Sequence, residues 1–110
     1  MGLGLGGYTF EGPYADVMGL QNRSGVYAIL CENQGQHTVI DIGESADVRT
    51  RVESHDRRDC WTSNCSGRLM AAVLYTPNAQ QAGRVEIEQE LRGLLKQPCD
   101  ETEGEEQDFG

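Results

Sequence analysis

Tyr27, Arg51, His55 and Glu88 are the side chains whose types and spacing could do chemistry together. If Val48 and Val52 mark the inner face of a helix, Arg51 falls about 60° and His55 about 20° from Val48 at 100° per residue. Both then sit at the edge of a core and not in open solvent. Glu88 projects about 20° from Leu95, at the border of an apolar stripe. A partly desolvated carboxylate there calls for a metal or an arginine. Arg51 and Glu88 therefore allow two readings. One is the cation and metal ligand of a cleft that meets the electrostatic needs of phosphoryl transfer; the other is a plain salt bridge. Tyr27 reads either as a site phenol or as a core tyrosine with its hydroxyl at the rim. His55 reads either as a buried, hydrogen-bonded ring or as a general base or phosphate contact.

Asp41 adds a second carboxylate. Near Glu88 it would strengthen a hard-cation site, because Mg²⁺ favours oxygen ligands, or it would repel a phosphate. Arg49 and Trp61 are the candidate substrate contacts. Arg49 lies on a solvated helix face, and Trp61 is either a loop anchor or a base-stacking platform. His55, Cys60 and Cys65 are each five apart, and with the distant Cys99 they make a candidate Zn²⁺ set that lacks the usual close cysteine pair. With no secretion signal, the competing reading is that the four cysteines are reduced, buried thiols.

The elements that must position these residues follow from pattern. Residues 25–31 are apolar and rich in β-formers, and residues 37–42 repeat that character after a polar turn, which suggests a hairpin. Ser45 suits a helix N-cap, with a helix over 46–56. Residues 59–67 read as a loop, 68–76 as a central strand and 80–96 as an amphipathic helix carrying Ile87, Leu91, Leu94 and Leu95. The expected fold is α/β (α+β): a small, three-stranded, mainly antiparallel sheet flanked by helices, in the order β-β-α-β-α. Residues 1–23 read as an irregular lead-in beginning with a flexible glycine-rich arm, residues 24–98 as the domain, and residues 99–110 as a disordered acidic tail.

The chain has 110 residues, 37% of them hydrophobic, enough for one core and not two. No stretch approaches the roughly 18 apolar residues of a membrane span, and the N-terminus lacks the features of a signal peptide. The expected compartment is cytoplasmic. A net charge of −9 weighs against a nucleic-acid partner, whose phosphates are bound mainly by lysine and arginine. Six of the 18 acidic residues follow Cys99, leaving 12 acidic against nine basic elsewhere. That tail either solubilises the protein, mimics nucleic acid or marks a halophilic host. Composition does not choose among these.

The order of elements and the words inside it resemble the GIY-YIG nuclease domain superfamily. Gly25-Val26-Tyr27 stands for the first signature and Asp41-Ile42-Gly43 for the second, with aspartate where the family has tyrosine. Arg51 and His55 keep the family's spacing after that glycine, and Glu88-Gln89-Glu90-Leu91 resembles its glutamate-bearing helix. The likeness covers about two thirds of the chain. It implies phosphodiester hydrolysis in nucleic acid with one divalent metal, Mg²⁺ or Mn²⁺. By position, Tyr27 would help activate the attacking water, Arg51 would stabilise phosphate charge and Glu88 would ligate the metal. The aspartate at 41 also leaves a second outcome open, a module of this fold that binds nucleic acid or protein without turnover. A zinc- or thiol-dependent interaction domain is the third.

Overall fold

Gly6 and Gly7 determine how the chain begins. Their φ angles of 55° and 87° form a two-residue hairpin turn that glycine takes without strain. The turn joins strand β1 (Gly2–Leu5) to strand β2 (Tyr8–Tyr14), with Leu5 opposite Tyr8. The computed structural model describes residues 2–76, 80–95 and 97–99. Apart from Cys99, the acidic tail expected to be disordered lies outside these residues.

After a 3-10 turn at Val17–Gly19 come β3 (Gly25–Asn33), β4 (Gln36–Ser45), α1 (Val48–Glu53), α2 (Arg58–Ser63), β5 (Arg68–Tyr75) and α3 (Gln81–Leu94). The five strands form one antiparallel sheet in the order β1-β2-β5-β3-β4. The expected three-stranded sheet in the order β-β-α-β-α is therefore wrong. The lead-in is not irregular: it folds as a hairpin whose second strand extends the sheet at β5. Its alternation of Leu3, Leu5, Tyr8 and Phe10 with small or polar residues is a strand pattern. The expected loop at 59–67 also contains helix α2.

The first helix is shorter than the expected 46–56. Its cap is Asp47, with Ser45 accepting from the Asp47 amide through Oγ at 2.9 Å. The amides of Val48 and Thr50 are taken by the Arg23 carbonyl and the Asn22 side chain, at 3.0 and 3.1 Å. Lead-in residues thus serve the helix start expected at Ser45.

The sheet buries apolar side chains on both faces. Tyr27, Ile29 and Cys31 of β3 join Val48, Val52 and Trp61 on one side; Val26, Ala28 and Leu30 join Phe10, Ile42 and Leu91 on the other. A bulge between the Ile29–Asp41 and Leu30–Val39 pairs breaks the alternation in β4. Ile40 consequently packs with the α1/α2 side although Ile42 packs beneath α3.

Candidate functional site

Tyr27 lies opposite Gly43 on β4 and Val73 on β5, and its ring lies across Gly43. A Cβ at position 43 would stand 2.2 Å from the Tyr27 hydroxyl, so this strand position requires glycine. His55, just past α1, brings Nε2 to 2.7 Å from that hydroxyl. Its Nδ1 accepts the amide of Arg57 at 3.0 Å, which assigns the ring proton to Nε2 and makes the Tyr27 oxygen the acceptor. Trp61 packs on the imidazole at 4.5 Å between ring centroids.

Burial lowers the His55 pKa to about 3, aided by the charges of Arg57 and Arg51. Burial raises the Tyr27 phenol above its ordinary range, against the opposing pull of Arg51 and Arg57. At neutral pH the pair is an uncharged imidazole donating to an uncharged phenol. The 3.3 Å approach of Asp56 to His55 Nδ1 is therefore not an ion pair. The charge partner of Asp56 is Arg51, at 3.2 Å and half-exposed.

Asp41 is completely buried and its acceptor positions are filled. Oδ2 takes Arg57 Nε and Trp61 Nε1, each at 2.8 Å. Oδ1 takes the Ile42 amide at 2.8 Å and Arg92 Nη2 at 3.3 Å. Arg92 reaches Asp41 from α3 around the outer edge of β4, where it also donates to the Ile42 carbonyl. Its Nε lies 3.6 Å from Glu88 Oε2, one helical turn earlier. Charges thus alternate along Glu88, Arg92, Asp41 and Arg57, crossing from one face of the sheet to the other. Arg84 and Glu44 form a further pair at 2.9 Å.

Several expectations change on this geometry. Arg51 pairs with Asp56 and not with Glu88. Asp41 does not fit the role of metal ligand, because a carboxylate accepting from two guanidiniums, an indole and an amide has no oxygen site left for a cation. Glu88 is buried beside a guanidinium, an ion-pair setting and not an open coordination site. Among the described residues no group of three His, Cys, Asp or Glu side chains converges. Arg49 turns toward the 3-10 segment, its Nη2 at 2.7 Å from Met18 Sδ. Trp61 is an anchor, buried with its indole nitrogen bonded, and offers no stacking platform.

The cysteines are not free thiols. Cys31 is bonded to Cys65 and Cys60 to Cys99, so Cys60, Cys65 and Cys99 have no thiolates for the candidate zinc set. The second bridge fixes Cys99 across the edge of β4, where its amide donates to the Ile40 carbonyl at 3.0 Å.

Sequence reading missed Arg57 and Arg92, the two cations of Asp41. A signal was present: an aspartate between Ile40 and Ile42 in an apolar strand needs buried donors. The α1/α2 face also holds a small cleft of about 70 Å³, lined by Tyr14, Val17, Val52 and Trp61 with Arg58 among its walls. No helix among the described residues is long and apolar enough to cross a membrane. Comparison with protein-family models, with curated proteins and with solved structures finds no match to this chain.

Proposed function

We propose that the chain is a GIY-YIG-like module that binds a partner without hydrolysing phosphodiester bonds. The saturation of Asp41 is the observation that carries this reading. The residue standing for the second signature tyrosine is spent on Arg57, Arg92, Trp61 and the Ile42 amide, and the only other carboxylate considered for a metal, Glu88, faces Arg92. A neutral Tyr27–His55 pair below the surface adds to it, since neither group is poised to take a proton at neutral pH. The apolar cleft beside Trp61 and the negative net charge suit a protein partner better than a nucleic acid.

The test is a titration of Mg²⁺ and Mn²⁺ into the protein with plasmid and single-stranded DNA, for wild type and Glu88→Ala, with gel retardation alongside. The expected result is neither cutting nor retardation. Retardation without cutting would make the partner a nucleic acid. Metal-dependent cutting that disappears in Glu88→Ala would overturn the proposal in favour of a second reading, a nuclease with Glu88 at a divalent ion. That reading is favoured by one observation: His55 bonds the Tyr27 hydroxyl, and the charge of Arg51 acts on the same phenol. The two disulfides support an oxidising compartment, in place of the cytoplasm expected from sequence.

A further inference from the structure

The two edges of the sheet are treated differently. The β4 edge is covered: the Ile40 carbonyl accepts from Cys99, the Ile42 carbonyl from Arg92, and the Ile42 amide donates to Asp41. Among the described residues the β1 edge has no such cover. Leu5 and Tyr8 close the two-residue turn as a hydrogen-bonded pair, so the alternation of an antiparallel ladder makes Leu3 and Phe10 the next such pair. Gly2 and Gly4 then direct their amides and carbonyls away from β2, and among the described residues no partner reaches them.

We propose that β1 pairs antiparallel with β1 of a second copy of this chain, joining two five-stranded sheets into one continuous sheet about a two-fold axis. Natural sheet edges are usually protected by charge, proline or a bulge. Residues 2–7, Gly-Leu-Gly-Leu-Gly-Gly, have neither charge nor proline, and the β1–β2 register is regular. Pairing the segment with itself sets no like charges opposite one another. A head-to-tail arrangement, β1 onto β4 of the next molecule, is blocked where Cys99 and Arg92 occupy the Ile40 and Ile42 carbonyls. The only sheet continuation left is isologous, and it stops at two copies.

The side chains agree with this geometry. Leu3 and Leu5 are partly buried against the apolar cluster beneath α3. Leu94, 62% exposed, lies beside the hairpin turn, its Cδ1 3.3 Å from where a Cβ on Gly6 would be. Continuing the sheet across the two-fold axis would place a second α3 on the same face and extend this cluster from one copy to the other.

Sedimentation velocity from low micromolar to several hundred micromolar protein tests the proposal. The expected mass rises with concentration from 12.1 kDa to twice that value and no further. Gly4→Pro removes the outward amide of an edge strand, a position where proline is tolerated. It should remain monomeric at every concentration with an unchanged far-ultraviolet spectrum. Should that variant fail to fold, Gly4→Lys decides the matter, because a Cβ on Gly4 meets nothing within 4 Å and two facing lysines repel. Amide exchange at Gly4 should slow as the dimer forms. A wild type that stays monomeric, a mass beyond the dimer, or Gly4→Lys dimerising like wild type would overturn the proposal.

Discussion

Asp41 holds two guanidiniums that would otherwise face each other in a buried space. Asp41→Asn keeps the shape and removes the charge, leaving Arg57 and Arg92 without their shared anion. The expected loss is about 3–5 kcal/mol of stability, measured by urea unfolding of wild type and variant. The same geometry makes Asp41→Tyr a poor probe of lost catalysis, since it breaks four hydrogen bonds before it can restore a motif. His55 leads to a second expectation. Its pKa is about 6.5 in an unfolded chain and about 3 in the fold, so between these values the unfolded state binds the extra proton. Its contribution to stability is complete above pH 6.5 and is lost as pH falls toward 3. Thermal melts from pH 7.5 to 5 should show Tm falling in wild type and falling less in His55→Gln. At this scale the sequence was partly legible. The periodicity of α1 placed His55 beside the core, where the structure has it, and Asp41 could be singled out as a carboxylate in an apolar strand. Which arginines it would meet was not legible: Arg57 caps α2, a helix that residue pattern did not reveal, and Arg92 reaches Asp41 around the β4 edge.

Helix α2 and the β1–β2 hairpin show why elements were harder to read than residues. A six-residue helix has barely more than one turn of internal hydrogen bonds, so propensity hardly specifies it. Its position depends on Trp61 bonding to Asp41 and on Cys60 bonding to Cys99. The hairpin was hidden for the opposite reason. Its glycines, taken as a sign of flexibility, supply the turn and leave short edges for strand pairing. The hairpin at β3 and β4 was plain in its apolar runs, and β5 and α3 in their length, because burial alone determines them. The bridge at Cys60 carries its own prediction. Replacing both Cys60 and Cys99 by serine should lower stability by about 2–4 kcal/mol and speed amide exchange along β4, read by denaturant unfolding and hydrogen exchange.

On the scale of the whole molecule, cysteine spacing could count four thiols but could not assign partners, since four cysteines admit three pairings. The observed pairing is interleaved: Cys31 with Cys65, and Cys60 with Cys99. Pulled at its two ends, the chain would carry tension from residue 31 through the first bridge to 65, back along the backbone to 60, and through the second bridge to 99. Between 31 and 99, only that short return from 65 to 60 can straighten under load, to a span of at most roughly 18 Å. Most of the span between 31 and 99 is shielded from the load. A single peptide cut anywhere in that span would still leave one covalent molecule, so the fold can be nicked without being divided.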